Sequence, residues 1–574
     1  MSLTGIWGLK KIAMRNLSRH KVKTVLTSAA VMVSVAVYIF LTSWLGGMAI
    51  ESRRNIVNYD MSAAKLQTAL YFERSDERPS YENFRGWERY RDALYGEGFN
   101  SAPRFVFAGM LFSNSGSAPM IFNAVDPVAE ARVLHYIDYV DFGRFPESGK
   151  FEIAVGTTAA EKLRVGIPTR PRRLELEEFI ANTAQNETDA AFIRSLYEPG
   201  KTSTGFLNFS TEREFAGNER MILTRNAPRA DLDRLWELIA ATDRNNVRIN
   251  AVIDIKAVPE IIRIGQWNGE LMPYLREEDK ALVEAAYTRE DFVGGYLLVE
   301  EDEAVQEKIL AAMIRAGFRG AVRHVNQLVD AVVVGVINSP DPVPNGNTGY
   351  IPMDALQDEA GMMLDGAITE LLIRKKGAAY AELPGETESA AAITAALKRG
   401  LGEPLPEYLG VFFWLEYMSD YLGYEAMQTG APQVIAFLLL FLSFLGISNT
   451  ILLAVLERTK EIGMMRAMGM TDRQMIVVYM LEAGFIGFIG SVFGMILGCA
   501  VNYPMVVYGW DLSAMADSLG GGIGFRVTTV LRSVWNVPVI FGSGIVATLL
   551  ASCMAYFPTR RAVKMPITDS LRFE

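Results

Sequence analysis

Residues 24–50 read TVLTSAAVMVSVAVYIFLTSWLGGMAI, an unbroken run of 27 residues without Asp, Glu, Lys or Arg. A helix of roughly 20 apolar residues crosses the ~30 Å hydrocarbon core of a bilayer, so this stretch is long enough to span. It is also far longer than the h-region of a cleaved leader, roughly 7–15 residues, and no small-x-small cleavage pattern follows it. It therefore reads as a retained span. Three more charge-free stretches of similar length lie at 426–456, 483–510 and 533–559. The expected fold class follows: an α-helical membrane bundle of four transmembrane helices, with a large α+β extracytoplasmic domain inserted between the first and second.

Charge sets the orientation. Residues 1–23 carry Lys10, Lys11, Arg15, Arg19, Lys21 and Lys23 and no acid. The positive-inside rule places them in the cytoplasm. Four crossings then bring the loop 457–474 and the tail 560–574 to the same side, where Arg458, Lys460, Arg466, Arg473, Arg560, Arg561, Lys564 and Arg572 lie. Residues 3–20 have the pattern of an amphipathic helix lying in the inner headgroup layer. The third span is expected within 475–510, with a short outer loop at 511–532 before the last. Residues 51–425 remain outside as one block with a net charge of about −18. An acidic block argues against a nucleic-acid partner or an anionic membrane surface.

The two cysteines, Cys499 and Cys553, fall in spans, so the outer block has no disulfide. Its 375 residues are enough to bury a core without one. His20, His135 and His324 are scattered, which leaves no zinc or haem pattern. Within the block, strand-like runs at 104–113, 119–125, 151–156, 220–224, 248–256, 294–300, 368–375 and 408–414 alternate with helix-like runs at 157–163, 231–243, 304–317 and 386–399. A subdomain inserted at about 168–345 is expected from charge density.

The loop between the second and third spans, ERTKEIGMMRAMGMTDRQM over 457–475, is the most specific feature. Ile462, Met465, Met468 and Gly469 recur at helical spacing, and Thr471 is placed to cap the next helix. An apolar stripe rich in adaptable methionine suits either a partner's groove or the chain's own spans. In the following span Gly484, Gly487, Gly490, Gly494 and Gly498 recur three or four apart, a small-residue face for close helix approach. Glu482, a charge inside that apolar region, is a functional candidate or an interfacial ion-pair member.

This segment resembles the FtsX-like ABC transporter permease family, of the type that includes the macrolide exporter MacB and the lipoprotein-releasing LolC and LolE permeases. The resemblance rests on Glu457, Arg458, Glu461, Ile462, Gly463, Arg466, Ala467 and Gly469. It continues through Leu481, Glu482 and Gly484, and through Pro558, Arg561, Ala562, Pro566, Leu571 and Arg572 in the tail. Asp126-Pro127, residues 152–156 and 160–163, and Tyr350-Ile-Pro352 are similar to the MacB-like outer domain. After Gly166, Ile-Pro stands where the family has Gly-Asp.

The resemblance implies a permease subunit in the bacterial inner membrane whose loop contacts a separate ABC-type ATPase dimer. ATP and magnesium would be bound by that partner and no cofactor by this chain. A second permease copy or a paralogue, and a periplasmic adaptor or lipoprotein, are the further partners implied. Glu457, Arg458, Glu461, Gly463, Arg466, Ala467 and Gly469 would carry ATPase coupling. The work done would be export or release of lipoprotein, lipid or another amphiphile. The alternative is a non-transporting mechanotransmitter that regulates a cell-wall hydrolase. No phosphate loop supports an ATPase in this chain: Gly200-Lys201-Thr202 is preceded by Ser195 where the motif needs glycine. Neither H-E-x-x-H nor G-x-S-x-G occurs, so an enzyme is not expected.

Overall fold

The computed structural model describes residues 21–75, 77–168, 171–199, 207–209, 229–292, 294–299, 302–339, 341–356, 366–379, 382–418, scattered positions between 423 and 453, 459–511, 530–564 and 566. The chain divides into two compact units. One comprises Met1–Arg53, Met418–Ala516 and Thr528–Glu574, and the other Arg54–Tyr417 with Asp517–Val527.

In the first unit three described helices are long and apolar enough to cross a membrane. The first-span helix is Lys21–Ile56, the third-span helix Asp472–Val507 and the last-span helix Val537–Met554, which is followed by a short helix Tyr556–Val563. The expected second span at 426–456 lies mostly outside the described residues, as do the whole amphipathic segment 3–20 and most of the loop 511–532. Buried Val31, Val35 and Ile39 of the first span join Met475, Tyr479 and Ala483 of the third and Ile540, Ala547 and Ala551 of the last in one apolar core. The opposite faces expose Phe488, Phe493 and Ile496, and Phe541, Ile545 and Leu549. An apolar exterior around a backbone satisfied by its own helices is what a bilayer solvates. Gly47 marks a close crossing: a Cβ there would sit 2.0 Å from the Arg532 carbonyl oxygen.

The second unit is built on a ten-stranded mixed sheet. Its strands are β1 (Ala64–Thr68), β2 (Phe99–Ser113), β3 (Gly116–Val125), β4 (Val140–Gly143), β5 (Glu152–Gly156), β6 (Asn246–Lys256), β7 (Val322–Ile337), β8 (Thr348–Pro352), β9 (Glu370–Lys375) and β10 (Leu409–Phe413). Their order is β10-β1-β9-β2-β3-β8-β5-β7-β4, with β6 paired to both β7 and β2. Only the β3–β8 and β5–β7 pairs are parallel. One face is covered by helices Glu88–Gly96, Arg173–Thr183, Glu187–Ser195, Arg229–Ala240 and Ala390–Leu401, whose Leu94, Phe179, Ile193, Leu235 and Leu397 enter the main core. The other face packs on Tyr59, Leu134 and Tyr136.

The self-contained insertion is narrower than the expected 168–345. Helices Arg173–Thr183 and Glu187–Ser195 bury Phe179, Ile180 and Ile193 in the main core. The segment between β6 and β7 instead has its own core of Trp267, Leu271, Val283, Ile309, Met313 and Phe318. That small module carries a three-stranded sheet of Ile261–Arg263, Gly295–Leu298 and Tyr287–Glu290.

Candidate functional site

The loop helix runs Thr459–Ala467. It stops because Gly469 takes φ 98°, a left-handed turn that glycine makes without a Cβ clash. The Met470 N–H then bonds the Met465 carbonyl at 3.1 Å and the Gly469 N–H bonds the Arg466 carbonyl at 3.0 Å. This is the paired bonding of a Schellman C-cap, with Met470 and Met465 both against the bundle core. Thr471 starts the third-span helix: its Oγ1 accepts from the Gln474 N–H at 3.4 Å, and Gln474 Oε1 accepts from the Thr471 N–H at 2.9 Å. This reciprocal capping box ties down both sides of a turn only a few residues long. Arg466 braces it with a 3.1 Å pair to Asp472.

The helix thus has two faces. Thr459, Ile462 and Gly463 are buried, and Ile462 and Met465 join the core of the chain's own spans. Lys460, Glu461, Met464, Ala467 and Met468 are exposed at 49% for Met464 and 80% for Met468. Their spacing places them along one side. Of the coupling residues expected from sequence, Glu461, Ala467 and Gly469 are exposed, while Gly463 is buried and Arg466 serves the turn. Glu457 and Arg458 lie outside the described residues. Met464, absent from the expected stripe, belongs to the exposed face.

The glycine row packs within the chain. A Cβ on Gly484 would meet Ser552 at 3.6 Å and one on Gly487 would meet Ala551 at 2.6 Å, both on the last-span helix. Gly490, Gly494 and Gly498 face the first-span helix instead: a Cβ on Gly490 would lie 2.7 Å from the Ser28 carbonyl oxygen and one on Gly494 2.8 Å from that of Met32. One row of small residues therefore seats two helices. Glu482 is half-buried and engaged in an interaction within the structure.

A charged cluster that sequence reading passed over lies in the sheet unit. Lys65 on β1, Arg104 on β2 and Glu370 on β9 are buried, together with Glu130 of the turn helix Pro127–Glu130. Lys65 Nζ lies 2.8 Å from Glu370 Oε2, and Arg104 Nη1 lies 3.7 Å from Glu370 Oε1. Arg104 Nε donates to Glu130 Oε1 at 2.8 Å, and the Tyr136 hydroxyl donates to the same oxygen at 3.0 Å. Burial pushes the Glu130 carboxyl up despite Arg104 beside it. Burial also acts to raise Glu370, but Lys65 and Arg104 together outweigh it and hold that carboxyl below its ordinary value. The available signal was a charge at an inward strand position of otherwise apolar runs.

Residues 433–567 match the FtsX-like permease C-terminal family, a segment that contains the loop helix, its capped turn and the glycine row. That segment belongs to the FtsX-like permease family. The chain is 29% identical over 182 residues to an uncharacterized ABC transporter permease of Methanocaldococcus jannaschii, covering 32% of this chain and 41% of that one. It is 28% identical over 140 residues to the macrolide export ATP-binding/permease protein MacB of Haemophilus ducreyi, covering 24% and 17%. It is 21% identical over 196 residues to the lipoprotein-releasing system transmembrane protein LolC of Neisseria meningitidis, covering 33% and 45%. The matches span less than half the length of each of these relatives. The apolar helices and the family of this segment fit a membrane protein, and the relatives it matches are named as ABC transporter permeases or export and release proteins.

Proposed function

We propose that this chain is an ABC transporter permease subunit that docks a separate ATPase through the face Glu461, Met464, Ala467 and Met468. In this reading, ATP hydrolysis by that partner moves the outer domain to export or release a lipoprotein, lipid or other amphiphile. The observation that carries the reading is the pair of exposed methionines on a helix fixed at its end by a Schellman turn and a capping box. A flexible loop would dissipate a push, whereas a capped turn passes it into the third span. Methionine surfaces adapt to a partner's groove, and a short amphipathic helix is a recurring docking element. The loop, N-terminus and C-terminus are taken as cytoplasmic, with a second permease copy or paralogue completing the assembly.

The test is purification from the native host in mild detergent, with mass spectrometry of co-eluting chains. A stoichiometric ATPase is expected. Met464→Glu with Met468→Glu should weaken its retention by roughly tenfold or more, the scale of losing hot-spot contacts, with the permease still monodisperse. A preparation that never contains an ATPase, or a double variant that retains it fully, removes the docking face from the mechanism.

A further inference from the structure

The outer end of the first-span helix widens into a π turn, Val57–Met61, before the chain enters β1. A helix terminus leaves carbonyls without intrahelical donors. Here three of them find partners inside the sheet unit. The Ser62 N–H bonds the Val57 carbonyl at 2.9 Å, the His135 N–H bonds the Asn58 carbonyl at 2.8 Å, and Arg104 Nη1 donates to the Asp60 carbonyl at 3.4 Å. A cation at a helix C-terminus also meets the negative end of the helix dipole. Ser62 is buried with φ 62°, a left-handed conformation for a non-glycine residue, and its hydroxyl donates to the Ile373 carbonyl at 2.7 Å. Such strain persists only where surrounding contacts over-determine it.

The segment by which the chain leaves the sheet lies next to this one. β10 pairs with β1 in the register Ala64↔Phe413, and the Trp414 N–H bonds the Ala63 carbonyl at 3.0 Å. The Lys65 ammonium sits 5.3 Å over the ring of Tyr417. Glu370 therefore holds Arg104, which caps the helix end, on one oxygen and Lys65, which lies over the exit segment, on the other.

We infer that Arg104, Glu370 and Lys65 form a clamp that fixes both membrane connections of the outer domain, residues 57–63 and 414–417, to the single strand pair β1–β9. Glu370 is its centre and Arg104 is a positioning residue for the helix end. With two cations against the carboxylates of Glu130 and Glu370 the cluster is formally balanced. Buried pairs of this kind are weak contributors to net stability and are better suited to fixing one geometry. The clamp holds both connecting segments on the sheet, so that neither shifts without it. Any role in carrying force rests on the permease reading, but the clamp itself does not.

Hydrogen exchange on the full chain in detergent at neutral pH tests it. In the wild type, peptides covering 57–66 and 409–417 should exchange as slowly as the β2–β3 hairpin. Arg104→Lys keeps the charge but loses the guanidinium fork. It should raise exchange in 57–66 by about tenfold, the scale of one charge-assisted hydrogen bond, and leave 409–417 unchanged. Glu370→Gln should loosen both segments together. Fast exchange of 57–66 in the wild type, no response to Arg104→Lys, or an equal rise across the whole sheet in that variant overturns the clamp. Should Glu370→Gln fail to fold, Arg104→Lys still decides. No ATPase enters this measurement, so a missing ATPase partner would sink the permease reading and leave the clamp standing.

Discussion

Single charges decide more in this molecule than their number suggests, because the informative ones are buried. Glu370 is ionised in the fold with its carboxyl below the ordinary value. Its contribution is fully present above the unfolded carboxyl pKa, about 4.3, and is lost as pH falls through the folded value. Replacing it by glutamine leaves Lys65 and Arg104 facing a neutral amide. The expected loss at pH 7 is about 3–5 kcal/mol, the scale of breaking one partner out of a buried pair. The gap between wild type and Glu370→Gln should narrow as the pH drops below about 4, since acid protonates the wild-type carboxyl as well. Glu130 is raised chiefly by burial and in smaller part by Glu370 itself, so in Glu370→Gln its carboxyl is raised less than in the wild type. Denaturant melts of the two full chains between pH 7 and pH 3 read this directly, and a gap independent of pH would mean that Glu370 is not the ionised centre of the cluster.

At the level of elements, spacing on a helix names a face but not its neighbour. Gly484 and Gly494 share the third-span row, yet a methyl group at Gly484 meets Ser552 at an ordinary 3.6 Å while one at Gly494 meets the Met32 backbone at 2.8 Å. Gly484→Ala should leave thermal stability in detergent within about 0.5 kcal/mol of wild type, and Gly494→Ala should lower it by about 1–3 kcal/mol through overpacking. Equal effects would mean that the two helix approaches are not as close as described. The three described spans were legible because a charge-free run is a statement about solvent, which composition reports directly. The glycine row was legible as a row, while its division between the first and last spans was not, since that depends on which helix lies opposite. The same limit explains the loop helix: periodicity marked an apolar stripe, but Ile462 and Met465 turn into the bundle and Met464 and Met468 turn out. It explains β7 too. Over 327–333 of the 16-residue strand Val322–Ile337 exposure alternates from residue to residue, but the sequence there, QLVDAVV, does not alternate polar and apolar, so the strand's period was not written in its residue types.

For the whole molecule, connectivity separates what transmits motion from what can be removed. The sheet unit meets the spans through β1 and β10, which are paired neighbours. The small module between β6 and β7 has its own core and enters the chain where Lys256 and Val322 are cross-strand partners. Charge density had assigned a far larger insertion, because it counts surface residues and not which core the apolar ones fill. With the module's ends already in register, residues 257–321 can be replaced by a two-residue Asn-Gly hairpin turn, whose twist suits adjacent antiparallel strands. The shortened chain should fold, keep its remaining melting transition within roughly 4 °C, and retain protection in 57–66 and 409–417. Neither connecting segment nor the loop helix is altered, so under the proposed permease function stimulation of a partner ATPase should persist, and any defect should appear in cargo handling. Collapse of the β1–β9–β2 protection in that variant would show that the module supports the main sheet and is not an independent attachment to it.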